Sequence, residues 1–408
     1  MKLMLKGVMR SAVLNTMKIA ARPTLLYRST HPDLTKPPRK LLVIRPDHLG
    51  DVLLTTPALR LLRQTLPDTE ITALVGPWGA PSLVGNPDID KLVRLSFPGF
   101  SRQPTANPLA PYLLALQQSR ILRREGYDAV LNMRYDFWWG ALLAYLSDIP
   151  ARFGFDWDES RAFLNCRLSL RRAELPKLLS PFGQPPQHFS ALSLSLAQFM
   201  LNTCGVKTPS EGFDASLKFC PSPEEKRYVN LILSEMGLER NDKLVAIHPG
   251  TGANLKLWTV EGFAGVADAI SHKYNAKVVL VGGEKEAILV KNILRHCQNT
   301  PIRLDSGDNW GKLAALFERS QLVIGLDSGP MHLAVAMGAP TLHLFGPTDP
   351  QIFGPWGDPQ KHRLVRTEID LPCCPCGVLD PNRICWKGGY CMRTIKVTQV
   401  LGEVARFL

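Results

Sequence analysis

Four short stretches of this chain place carboxylates, hydroxyls, a lysine and a histidine beside glycine turns. The first runs Arg45-Pro46-Asp47-His48-Leu49-Gly50-Asp51. A glycine before an aspartate at a helix start lets the backbone turn tightly. Asp51 is then placed either to accept a proton from a hydroxyl group or to cap the free amides of its own helix. Asp47 and His48 share the loop. The second stretch is Asp327-Ser328-Gly329-Pro330-Met331-His332. Pro330 suits a first helical turn, and the helix start offers free N–H groups and partial positive charge, which is a diphosphate site by physics. Asp327 could hold sugar hydroxyls. His332, one turn in, either faces a cleft or is a core histidine bonded to backbone. The third, His248-Pro249-Gly250-Thr251-Gly252-Ala253-Asn254-Leu255-Lys256-Leu257-Trp258, combines glycines, a hydroxyl and a cation. It lacks the third glycine of the dinucleotide fingerprint and is not a Walker loop. The fourth is Gly282-Gly283-Glu284-Lys285-Glu286, where a carboxylate either binds ribose hydroxyls or opens a solvated helix.

All four follow short apolar runs. Leu41–Ile44 precedes the first, Leu322–Leu326 the second, Val245–His248 the third and Val278–Val281 the fourth. Such runs fit strands buried in a parallel sheet. Further strands are expected at 71–75, 92–95, 129–132 and 341–345. Helices are expected at 51–66, 111–125, 138–146, 188–204, 259–274, 284–296, 310–319, 330–337 and 395–408. Alternating strands and helices mean parallel sheets with covering helices. The expected architecture is two Rossmann-like α/β domains facing a central cleft, followed by a C-terminal helix. We place an N-terminal extension and linker at 1–40, one domain at 41–215, a second at 216–394 and the last helix at 395–408. Ligands of such sheets bind beyond the carboxyl ends of the strands.

Composition narrows the function classes. The 408 residues are 45% hydrophobic and 21% charged, with formal charge +12, which excludes low-complexity and fully disordered chains. Residues 1–40 hold nine lysines and arginines against one acid, Asp33, so the body is nearly balanced. A nucleic-acid surface would spread its charge through the body, so no nucleic-acid partner is expected. Residues 1–21 read as an amphipathic basic helix, with Lys2, Lys6 and Arg10 opposite Leu5, Val8, Met9 and Ala12. It either lies on an anionic membrane surface or packs on its own protein. No secretory signal and no spanning helix are read, and the expected location is cytoplasmic, with residues 1–22 as a membrane contact.

The motif R-x-D-x-x-G-D-x-x-x-T-x-P at 45–57 resembles the amino-terminal motif of glycosyltransferase family 9, the heptosyltransferases of lipopolysaccharide core synthesis. D-S-G-P-x-H-x-A-x-A-x-G-x-P at 327–340, followed by F-G-P-T-D-P at 345–350, resembles its carboxyl-terminal motif. The resemblance implies the two-domain GT-B fold and an inverting, metal-independent transfer from a nucleotide sugar, typically ADP-L-glycero-D-manno-heptose, to a lipid-linked glycan acceptor. No cofactor is implied. Asp51 takes the role of general base. Thr251, Lys256, Asp327, Ser328, Gly329 and His332 fall at the donor diphosphate and sugar, and Glu286 at the donor ribose.

Nine cysteines are present, and Cys373, Cys374, Cys376, Cys385 and Cys391 crowd together. They either hold a metal, form a disulfide or pack as thiols. Loops 97–111 and 173–187, with Arg102, Arg152, Arg161, Arg171 and Arg172, are candidates for acceptor contact. Two other readings stay open: a GT-B transferase using a UDP- or GDP-sugar, and a non-catalytic module binding nucleotide sugars or glycans.

Overall fold

The computed structural model describes residues 34–100, 107–170, 188–209, 212–307, 309–377 and 385–408. The expected helix at 1–21, loop 173–187, Arg102, Arg171 and Arg172 lie outside the described residues.

Twelve strands among these residues form two six-stranded sheets. The first contains β1 (Lys40–Arg45), β2 (Glu70–Val75), β3 (Lys91–Arg94), β4 (Ala129–Asn132), β5 (Ala151–Phe155) and β6 (Cys166–Leu168). The second contains β7 (Leu244–His248), β8 (Lys277–Gly282), β9 (Ile302–Asp305), β10 (Leu322–Leu326), β11 (Thr341–Leu344) and β12 (His362–Val365). Every pairing is parallel. The apolar runs explain why. Leu41 to Ile44, Leu244 to Ile247 and Leu322 to Leu326 are buried throughout, as strands covered by helices on both faces must be.

The strand orders are β3-β2-β1-β4-β5-β6 and β12-β11-β10-β7-β8-β9. Each half therefore has the doubly wound order, whose direction reverses between β1 and β4 and between β7 and β10. The tips of those strand pairs are where such folds open a crevice.

Several elements differ from the expectation. The helix at 51–66 is two helices, Leu49–Leu53 and Thr56–Thr65. Pro57 has no N–H to continue the ladder and instead opens the second helix. Strands β5, β6, β9 and β12, and the helix Pro223–Glu235, were not expected. The four strands are three to five residues long. β6, β9 and β12 mix polar with apolar side chains, which hides the buried-strand signal.

The two halves touch at specific residues. Trp356 lies in the same core cluster as the first sheet, and its indole N–H donates to the Ala215 carbonyl at 2.6 Å. Phe353 stacks on Phe189 with ring centroids 5.1 Å apart. His188 caps the helix Phe189–Thr203. Its Nδ1 accepts from the Ser190 N–H at 3.2 Å, so Nε2 carries the proton and donates to the Gly354 carbonyl at 3.0 Å. Burial holds this imidazole down at about 4, neutral at ordinary pH.

Candidate active site

The two motifs meet tip to tip. Helix Leu49–Leu53 packs against helix Gly329–Ala336, glycine on glycine. The Gly50 N lies 3.5 Å from where a Gly329 Cβ would stand. A Cβ on Gly50 would come within 2.9 Å of the Gly329 Cα and 3.1 Å of His332 Cδ2. Only bare backbone allows this approach. The residues next to each glycine, Asp51 and Ser328, are thereby brought to one place.

On the first side, β1 ends in Arg45. Its guanidinium is buried, 2.8 Å from Asp47 through Nε, and donates through Nη1 to the Met133 carbonyl at 3.1 Å. Asp47 also accepts from Arg134, which stands just past the tip of β4 and is gripped by Asp136 at 2.5 Å. The result is a chain of alternating charges, Arg45–Asp47–Arg134–Asp136, laid across the β1/β4 switch point. Asp51 stands next to it. Its helix receives no side-chain cap from the preceding residue, His48. Asp51's own carboxylate has no hydrogen-bond or ion-pair partner among the described residues. Burial pushes that carboxyl up to about 6. Asp47 and, across the domain contact, Asp327 push in the same direction, while Arg45 and Arg134 oppose them.

On the second side, three of the expected residues converge. Lys256 Nζ lies 2.8 Å from Asp327 Oδ2 and donates to the Asp327 carbonyl at 3.4 Å. The Thr251 hydroxyl donates to the same carbonyl at 3.0 Å. Ser328 begins helix Gly329–Ala336 without capping it, and its buried hydroxyl has no partner. In the first turn of this helix Pro330 carries no N–H and the Met331 N–H donates to the Ser328 carbonyl at 3.1 Å, which leaves the Ser328 and Gly329 amides without an intrahelical acceptor by position. His332 is buried, with Nδ1 unpartnered, and burial lowers it to about 4. It is therefore both a core histidine and a cleft neighbour, since its ring touches the Gly50 turn.

Glu286 closes the far end of this side. Its carboxylate accepts from the Gly283 N–H at 3.0 Å, and its side chain fills the space a Cβ on Gly250 would need. It also lies close enough to His248 to favour that buried imidazole's charged form against burial. The structure thus joins the third and fourth stretches at the tips of β7 and β8.

Arg134 and Asp136 were missed in the sequence. The available signal was their place directly after the strand Ala129–Asn132, whose neighbour in a doubly wound sheet is the strand before Asp51. Arg152 is a correction. It is buried, donates to the carbonyls of Phe163 at 2.7 Å and Ile149 at 2.6 Å, and lies over the Tyr145 ring, so it fastens the fold instead of meeting an acceptor. Arg161 is exposed and paired with Asp156 at 2.8 Å.

The metal-free expectation must reckon with two Asp-x-Asp triplets. Asp88-Ile89-Asp90 is engaged by Arg60 at 3.8 Å and Arg63 at 2.5 Å. Asp156-Trp157-Asp158 lines a cavity of about 370 Å³ with Glu159, Arg161, Ser169 and Leu170, and both its carboxylates face Arg161. Among the described residues, no group of three or more histidines, cysteines or acids is placed to hold a metal ion. The crowded cysteines are free thiols. Cys374 donates to the Gly346 carbonyl at 3.0 Å and accepts from Arg366 at 3.4 Å. Burial, with Cys374 nearby, pushes the Cys391 thiol up to about 12.

Comparison with known proteins fits this geometry. The model of glycosyltransferase family 9 (heptosyltransferase) matches residues 115–376, more than half of the chain, including the second motif. Lipopolysaccharide heptosyltransferase 3 of Escherichia coli is 27% identical over 315 residues, covering 76% of this chain and 84% of the relative. The lipopolysaccharide core heptosyltransferase OpsX of Haemophilus influenzae is 24% identical over 382 residues, covering 92% and 99%. Among solved structures, a family 9 glycosyltransferase from Veillonella parvula superposes with TM-score 0.70 at 24% identity, over 90% of this chain and 97% of that one. The Escherichia coli heptosyltransferase WaaC with ADP gives TM-score 0.64 at 16% identity, over 90% and 100%. Two parallel doubly wound sheets meeting at paired glycine turns are thus the GT-B fold, and the chain belongs to glycosyltransferase family 9 and is a glycosyltransferase.

Proposed function

We propose that this enzyme transfers a heptose from an ADP-heptose donor to a lipopolysaccharide core acceptor, with inversion at the anomeric carbon and without a metal ion. The observation that carries the chemistry is Asp51. It is a carboxylate with raised proton affinity and no partner among the described residues, held at the contact between the two motif turns. A general base works best when its pKa lies near the operating pH, and a value of about 6 meets that condition.

In this reading Asp51 takes the proton of an acceptor hydroxyl as that oxygen attacks the anomeric carbon. The bond from that carbon to the diphosphate oxygen breaks on the opposite face, and ADP departs carrying the electron pair. Negative charge grows on the departing diphosphate. Lys256 and the first-turn amides at Ser328 and Gly329 are the cationic and dipolar groups at hand to stabilise it. Lys256 now grips Asp327, so donor binding has to share or exchange that contact. The buried, unpartnered Ser328 hydroxyl is free to take a phosphate oxygen. Thr251 shapes the same turn, and Glu286 at the β8 tip is placed for ribose hydroxyls. The donor is supported by the family match and by relatives whose names specify lipopolysaccharide heptosyl transfer. Neighbours solved with ADP and with ADP-2-deoxy-2-fluoro heptose support the fold on which this reading rests. Among the described residues, no helix is long and apolar enough to cross a membrane. In this reading a lipid-anchored acceptor is met at the cytoplasmic membrane surface by peripheral contact.

Ligand-induced thermal stabilisation tests the donor side. ADP and ADP-heptose are compared with UDP, GDP and NAD on wild type and Lys256→Ala. A ligand bound only by the folded state at a hundredfold excess over Kd stabilises by about 2.7 kcal/mol. The reading requires a shift selective for ADP that Lys256→Ala weakens. A shift selective for UDP or GDP moves the donor class. No shift with any nucleotide sinks the proposed ADP-heptose donor.

A further inference from the structure

The helix Ala110–Glu125 has one face that the fold does not use. Ala115, Ser119 and Leu122 are its buried residues. On the opposite side, Leu109, Leu113 and Leu116 are 52%, 60% and 41% exposed. Leu109, Leu113, Leu116, Arg120 and Arg124 follow at steps of three or four and so share one stripe. Arg120 and Arg124 are exposed, with no ion-pair partner among the described residues. The helix carries one acid, Glu125, at its end. Three leucines followed by two free cations along about 24 Å of helix make a surface that is apolar at one end and cationic at the other.

We propose that this stripe docks the enzyme onto an anionic phospholipid bilayer. Leu109, Leu113 and Leu116 enter the headgroup–acyl boundary, and Arg120 and Arg124 meet lipid phosphates. Charge decides against a second copy of the chain as occupant. A self-paired face would bring the arginines of each copy together with almost no acid to meet them. Three leucines also fall well short of the roughly 800 Å² per partner that a stable protein interface buries.

Topology makes the placement useful. The helix leaves β3 and returns to β4, so its leucine end lies on the carboxyl side of the first sheet, the side that carries Asp51. Trp139 fixes that end by donating to the Pro111 carbonyl at 2.9 Å. Docking through the leucines thus turns the acceptor side of the cleft towards the bilayer. The inference goes beyond the proposed donor and acceptor and does not need them to be right.

The test is co-sedimentation of the full chain with vesicles of phosphatidylcholine, with and without phosphatidylglycerol. Four proteins are compared: wild type, the triple variant Leu109→Gln/Leu113→Gln/Leu116→Gln, the pair Arg120→Gln/Arg124→Gln, and Lys2→Gln/Lys6→Gln/Arg10→Gln. Melting temperatures confirm that the substitutions leave the fold intact. Wild type is expected to bind the anionic vesicles preferentially. The arginine pair should weaken that binding about 25-fold, about fivefold for each cation near the surface. The leucine variant should lose binding to vesicles of both kinds. If both helix variants bind as wild type does, while the variant at residues 2–10 alone loses binding, the proposal is overturned. It is equally overturned if the helix variants change only the oligomeric state in sedimentation velocity. Because the vesicles carry no sugar acceptor, failure of the donor assignment would leave this result untouched.

Discussion

The two switch points of the molecule are built alike and charged differently. At the tips of β7 and β10 the cation and the acid already face each other: Lys256 holds Asp327, and Thr251 holds its carbonyl. At the tips of β1 and β4 the charges Arg45, Asp47, Arg134 and Asp136 pair in a chain. Asp51 is left over. The difference matches the proposed division of roles. A lysine in a paired contact at the cleft can be shared with an incoming anion. A carboxylate pushed up to about 6 beside a closed network is prepared to take a proton.

The sharpest way to break this comparison is a double dissociation. Asp51→Asn keeps the shape of the side chain and removes the base. Its kcat is expected to fall about 10²–10⁴-fold, the usual worth of a positioned general base. Stabilisation by ADP should persist. Lys256→Ala should do the reverse, losing most of the ADP-dependent shift in melting temperature. If both variants lose donor binding equally, the two sides do not divide the work, and the assignment of Asp51 to the acceptor is wrong.

A smaller effect is expected at the contact itself. Gly50→Ala places a methyl group 2.9 Å from the Gly329 backbone, and one turn must move. A misplacement of about 1 Å at a reacting centre can cost about 10²-fold in rate. We expect a loss of that order in kcat with little change in melting temperature, measured on the same preparation. Gly85→Ala provides the contrast. There a Cβ would meet nothing nearer than 3.7 Å, although the positive φ adds backbone strain away from the site. A rate loss as large in Gly85→Ala would show that the Gly50–Gly329 approach has no special part.

Much of this was legible because the chemistry sits directly after buried strands. Apolar runs such as Leu322–Leu326 announce themselves, and the residues that follow must point into a crevice. Asp51, Lys256, Asp327 and Ser328 were singled out in that way. What the sequence could not show was pairing at a distance. Arg134 is 87 residues from Asp47, and only the β1/β4 adjacency brings them together. Arg152 misled for the same reason, since exposure cannot be told from composition. Its guanidinium donates to three carbonyls, those of Phe163, Ile149 and Pro150, and none of these contacts is visible along the chain. The helix break before Pro57 was readable in principle, but the apolar period runs through it.

The finest prediction uses the charge network to move Asp51's titration. Asp47 raises the proton affinity of Asp51, whereas Arg45 and Arg134 lower it. Asp47→Asn removes the negative neighbour and takes a carboxylate partner from both cations, of which Arg134 keeps Asp136. Both changes lower the pKa of Asp51. Its base form then survives to lower pH, and the acid limb of kcat/KM, expected near pH 6 in wild type, should move down. Arg134→Gln removes a cation and should move the limb up. Asp47→Asn also breaks a buried ion pair, at a cost of about 3–5 kcal/mol in stability. The comparison is therefore made on the midpoint of the pH profile, which does not depend on the amount of folded enzyme. Opposite displacements in the two variants would tie the network to the base. Displacements of the same sign, or none, would mean that Arg45, Asp47 and Arg134 only brace the β1/β4 tips and that a different group titrates near pH 6.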